Sequence, residues 1–279
     1  MANEKRYPAD HTVGEFRASK VVGTAFINGA TLRGKAVQYY DVDGIALFEG
    51  DIELGPVKVV ERRADLVRQA PSDPAAATEL QSVIITGQNV RWPNCQIPYE
   101  ISSSLPNQSR VTDAIAHWEA NTSVRFILRT RENQGQFPDY VTFVTGSGCS
   151  AAVGRVGGQQ FIRLASGCST GNAIHEIGHA VGLWHEQSRE DRDIFVTIQF
   201  QNIIPGFEAN FNQHISDGDD VGNYDYGSIM HYPRDAFSVN GQDTIVPTQP
   251  GAQIGQRNGL SAGDIAAANF LCQAPYFGG

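Results

Sequence analysis

Apolar and polar positions alternate through much of the first third of the chain. The stretch AFINGATLRGKAVQYYDVDGIALFEGDI is cut at Asn28-Gly29 and Asp43-Gly44, two dipeptides suited to tight hairpin turns. Residues 37–40 and 45–48 are therefore expected to pair as a hairpin. Residues 1–70 as a whole read as strands and turns, ending in the charged run ERRADLVRQ at 61–69. Residues 70–82 hold Pro71, Pro74 and small side chains, with no aromatic ring, which is linker composition. A domain boundary is placed there, giving segments 1–82 and 83–279.

From residue 83 the pattern is more regular. Residues 97–101, 124–128, 140–144 and 161–164 read as strands. Val111, Ala114, Ile115 and Trp118 recur at helical spacing behind an Asn/Ser-rich start. Residues 171–184 place Ile174, Ile177, Val181 and Trp184 on one stripe, which predicts a core-packed helix. Residues 186–260 show little periodicity. A closing helix over 261–272 opens on Ser261 and Asp264, spaced as a capping box.

With 279 residues, 41% of them hydrophobic and 18% charged, the chain is globular in composition. No apolar run approaches the ~18 residues of a membrane span, and the first twenty residues hold no apolar core of a signal peptide. Net charge is −9, and all the lysines (Lys5, Lys20, Lys35, Lys58) precede residue 59. An acidic body without a basic stripe speaks against a nucleic-acid partner. Four cysteines, Cys95, Cys149, Cys168 and Cys272, fit two disulfides and an oxidising compartment. Free thiols or a metal site are the rival reading, and no CxxC spacing supports the latter.

The chemistry concentrates in HEIGHAVGLWHE, residues 175–186. His175 and His179, four apart, share one face of a helix and can bind one cation. Glu176 lies one step round, near the metal without having to ligate it, which suits a general base. Gly182 lets the chain leave the helix with positive φ and turn back to deliver His185 as a third nitrogen. Three histidines with an open position are the mark of catalytic zinc. A solvated helix face is the bland alternative. The third histidine speaks against it, and three histidines are an odd way to fill a core, because each buried ring nitrogen needs a partner.

HEIGHAVGLWHEQSRED, followed by SIMHY at 228–232, is similar to the astacin family of metzincin endopeptidases, whose pattern is HExxHxxGxxHExxRxD and then SxMHY. The likeness extends over roughly residues 83–273. It implies an α+β zincin fold: a twisted, mostly antiparallel-edged sheet with two helices in an upper half, and an irregular lower half with one closing helix. It implies one Zn2+ held by His175, His179 and His185, with Glu176 handling the proton. Met230 would lie in a turn beneath the metal. Tyr232 would ligate zinc in the mature form and swing out to steady the oxyanion. Glu186 would hold the mature N-terminus. Substrate would add as a strand to an edge near residues 151–156. The family's bridge before the zinc helix matches Cys149–Cys168. Its other bridge uses a position that is Ser123 here, so Cys95–Cys272 is expected instead.

LFEGDI at 47–52 resembles the FxGD motif of astacin pro-segments. Taken alone, Gly50-Asp51 reads as a turn. With some 70 residues ahead of an astacin-like part, the resemblance makes Asp51 a fourth zinc ligand of a latent precursor. VIITGQNVRW lines up with the start of mature family members, near Val83. No Lys or Arg lies between Arg68 and Arg91, so a trypsin-like activator would cut after Arg68 and a second trimming step would follow. The expected protein is a secreted, monomeric zinc endopeptidase acting on proteins and peptides. Its further partners are its own pro-segment and an activating protease, with no nucleic acid or membrane. The rival is a catalytically silent zinc-containing module that only holds peptides.

Overall fold

The structure, a computed structural model, describes residues 16–19, 22–27, 35–69, 91–214 and 220–273. The turn expected at Asn28-Gly29, the linker at 70–82 and Val83 lie outside the described residues.

Four strands open the fold as an antiparallel meander: β1 (Val22–Ile27), β2 (Lys35–Val42), β3 (Ile45–Phe48) and β4 (Ile52–Pro56). The expected hairpin is present. Val42 faces Ile45 across Asp43 and Gly44, whose φ of 55° and 80° are what a two-residue turn needs to match the strand twist.

The next segment departs from the expectation of strands and turns. Val57–Gln69 is an α-helix, α1, and Arg68 lies in its last turn. Val60 and Ala64, four apart and both buried, pack it against β1 and β4, while Lys58, Val59 and Glu61 face outward. Residues 58, 59 and 61 to 63 put charges and one valine around those two positions, which hides the apolar stripe in the sequence. The sheet beneath supplies the rest of the drive.

The remaining elements are β5 (Gln96–Ile101), α2 (Ser109–Asn121), β6 (Arg125–Leu128), β7 (Tyr140–Thr145), β8 (Cys149–Ala151), β9 (Gln159–Leu164), α3 (Thr170–Val181), β10 (Val196–Ile198), β11 (Ile245–Pro247) and α4 (Ala262–Gln273). One nine-stranded sheet runs β1-β2-β3-β4-β8-β9-β7-β5-β6. The junction between its halves is the parallel pair Ile52–Ala151, where Ala151 N–H donates to the Asp51 carbonyl at 3.0 Å. The edge of β8 is thus covered by the N-terminal segment. That edge strand ends at Ala151 rather than running through 151–156. Beyond it the chain bends, and Gly154 N–H donates to the His179 carbonyl at 2.8 Å.

Helices α2 and α3 pack on the sheet through a core of Ile97, Val111, Trp118, Phe143, Ile177 and Met230. Trp118 donates its indole N–H to the Ile174 carbonyl at 3.0 Å, which fixes one helix against the other. Cys149–Cys168 ties β8 to the approach to α3, and Cys95–Cys272 ties the start of β5 to the end of α4. Asp264 N–H donates to Ser261 Oγ, and Ser261 N–H to Asp264 Oδ2, so the expected capping box opens α4.

Candidate metal centre

Helix α3 begins on Ser169, whose hydroxyl accepts from Asn172 N–H while Asn172 Oδ1 accepts from Ser169 N–H. It stops at Val181, short of the expected 184. Gly182 takes φ 127°, in the region that favours glycine. Gly182 N–H and Leu183 N–H close on the Gly178 carbonyl at 3.1 and 2.9 Å. The reversal carries His185 back over the face that already presents His175 and His179.

All three imidazoles are buried, and each is oriented through its outer nitrogen. His175 Nδ1 donates to the Ile229 carbonyl at 2.8 Å, and His179 Nδ1 to the Leu183 carbonyl at 2.9 Å. His185 Nδ1 donates to Glu49 Oε2 at 2.8 Å. The Nε2 atoms then point inward at one carboxylate. Asp51 lies 3.1 Å from His175 Nε2, 3.2 Å from His185 Nε2 and 3.6 Å from His179 Nε2. One ligand atom from each of the four residues lies within 4.8 Å of all the others.

The donor set fits one zinc ion. Asp51 Oδ1 and His179 Nε2 are buried and make no hydrogen bond among the described residues, an arrangement that costs free energy unless a cation satisfies both. Burial, with Arg257 nearby, pushes His175 down to about 3, which keeps it neutral as a ligand must be. Burial also disfavours a cation on His185, but Asp51 and Glu49 outweigh it and push that ring up to about 9. Of these two carboxylates, Asp51 faces the inward nitrogens, while Glu49 holds the outer one.

Glu176 is fully buried on α3 beside His175. The sulfur of Met230 lies under α3 against Gly178, where a Cβ would stand 2.6 Å from it. Tyr232 is fully buried beside the cluster. Its hydroxyl donates to the Glu49 carbonyl, and its ring packs on Phe16 at 4.4 Å and on His185 at 4.7 Å. Glu186 accepts from Asp225 N–H at 2.7 Å and lines a cavity with Arg189, Asp225 and Asp264. Burial raises its carboxyl to about 8, against the opposing pull of Asp225 N–H and Arg189.

Sequence reasoning missed Phe16, Glu49, Ser188 and His214. Phe16 is buried between the histidines and Phe237. The Glu49 carboxylate accepts from His185, Ser188 and His214. Burial opposes that charge, but His214 and His185 hold the carboxyl down to about 2. No local pattern marks these residues, and Glu49 reaches its three partners across more than a hundred positions of chain.

With the geometry in hand, likenesses to known proteins bear on the site. The Astacin peptidase family matches residues 84–273. Zinc metalloproteinase nas-13 of Caenorhabditis elegans is 41% identical over 193 residues, covering 67% of this chain and 42% of that protein. High choriolytic enzyme 2 of Oryzias latipes is 44% identical over 181 residues, covering 63% of each. The chain thus spans less than two thirds of the length of either relative. Among solved structures, high choriolytic enzyme 1, a hatching enzyme zinc-protease from the same fish, matches with a TM-score of 0.60 at 39% identity. The match covers 68% of this chain and 97% of that one.

Proposed function

The chain belongs to the astacin family of peptidases, and on that premise we propose that it is the latent precursor of a secreted zinc endopeptidase acting on proteins. Residues 1–82 are its inhibitory segment and Asp51 its switch. The observation that carries the reading is the fully buried Asp51 carboxylate, 3.1–3.6 Å from the inward nitrogens of three histidines. A carboxylate is a good zinc ligand, and a tethered one acts at high effective concentration.

Zinc, when bound, supplies Lewis acidity toward the scissile carbonyl. Glu176 takes a proton from the attacking water at its carboxylate and passes it to the leaving nitrogen. Tyr232 parts from the Glu49 carbonyl when the segment leaves, and its hydroxyl then serves the oxyanion. The freed edge of β8 pairs with extended substrate as a strand. Activation begins with a cut after Arg68, and trimming to near Val83 follows. Glu186 then receives the new ammonium, and the carboxylates around it favour a cation. Two disulfides support an oxidising, extracellular setting. No helix among the described residues is long and apolar enough to cross a membrane.

The test is casein hydrolysis after trypsin treatment of the full chain. The expected activity is lost with a chelator and in Glu176→Gln. Zinc binding without hydrolysis would instead make the protein a silent peptide-holding module. A single trypsin product of Glu176→Ala beginning at Val83 would remove the trimming step.

A further inference from the structure

We propose that His214, Ser188 and the outer nitrogen of His185 form a second carboxylate receptor, which takes Glu49 and holds the N-terminal segment in the cleft independently of any metal. Three donors converge on this one side chain. Ser188 Oγ donates to Oε1 at 2.9 Å, His214 Nε2 lies 2.8 Å from the same oxygen, and His185 Nδ1 donates to Oε2 at 2.8 Å. Glu49 and Ser188 are fully buried, and His185 and His214 nearly so. A buried carboxylate is tolerated only when it is paired and hydrogen-bonded in this way, and bonds to a charged group are about twice as strong as neutral ones.

Two further observations show that the receptor fits this segment in particular. The ring of Phe48 meets Trp184 and His214 edge-on, at centroid distances of 6.2 and 5.6 Å, so the receptor reads a Phe-Glu pair. Glu49 also adopts φ 47°, a left-handed conformation that residues with a side chain rarely take. A glycine there would relieve the backbone but forfeit every contact just described. The outer nitrogens of His175 and His179 rest on backbone carbonyls of the family-matched region, whereas that of His185 is held by a side chain from outside it.

The consequence for latency depends on the function proposed above. The docking itself does not, and its test requires no hydrolysis. Ala151 N–H donates to the Asp51 carbonyl only while the segment is seated, so its hydrogen exchange reports docking. The full chain is compared with Glu49→Gln, His214→Leu and the double variant, all in chelator. Each single variant is expected to speed exchange of a peptide covering 149–152 by about tenfold or more, with exchange in α2 unchanged. The double variant is expected to exceed neither single by much, because both remove the same contact. Exchange at the wild-type rate in Glu49→Gln would overturn the proposal. So would additive effects in the double variant, or equal loosening of α2.

Discussion

The sulfur of Met230 occupies the space where residue 178 would carry a Cβ, 2.6 Å from that position. The glycine inside HEIGH is therefore a packing requirement that links the turn at 228–232 to the helix bearing two of the three histidines.

Gly178→Ala sets two effects against each other. Helix propensity favours alanine by up to ~1 kcal/mol. Displacing a buried sulfur in a close-packed core costs about 1–3 kcal/mol. The clash wins, so a lower urea midpoint is expected, together with a lower zinc content after dialysis. An unchanged midpoint would mean that Met230 moves aside freely.

Asp264 joins the same turn to the closing helix. It accepts from Ser228 Oγ at 2.6 Å, from Ile229 N–H at 2.9 Å and from Ser261 N–H at 2.8 Å. Asp264→Ala removes a cap and strands a buried N–H, at a cost of roughly 2–4 kcal/mol. Thermal unfolding would show it. Asp264→Asn is expected to recover part of the loss.

Stability should fall in mild acid, in part because of His231. Burial, aided by Arg257 and His185, holds this imidazole down to about 4. It is neutral, receiving the Tyr224 hydroxyl on Nε2 and donating Nδ1–H to the Tyr232 carbonyl. The unfolded chain takes up a proton near the ordinary 6.5 and the folded chain does not. Stability is therefore lost as pH falls from about 6.5 toward 4. His231→Gln is less stable at pH 7.5, but its decline by pH 4.5 should be smaller by on the order of 2 kcal/mol. Urea midpoints at the two pH values check this.

Asp51→Ala in the intact chain removes one of four candidate ligands and leaves the three imidazoles in place. Release of zinc to a competing chelator is expected to quicken by roughly 10–100-fold. An unchanged release rate would show that the carboxylate does not ligate.

Much of this was legible in the residues. His175, His179 and Gly182 are separated by local spacing, and a helix followed by a positive-φ exit is the physical consequence of that spacing. The β2–β3 hairpin was legible for the same reason, because Asp43-Gly44 settles its own turn. Helix α1 was not, because Val60 and Ala64 become an apolar face only when β1 and β4 lie beneath them. The edge strand was placed near 151–156 rather than at Cys149–Ala151, because its end is set by Gly154 reaching the His179 carbonyl on another element.

The sequence by itself determined that His175 and His179 share one helix face and that the chain leaves the helix at Gly182 just ahead of His185, since these follow from contacts a few residues apart. Only the tertiary structure decided that Tyr232 turns to the Glu49 carbonyl, and that Glu49 clasps His185, Ser188 and His214. Those pairings span more than a hundred residues of chain. Their strength comes from burial that no local window of sequence contains.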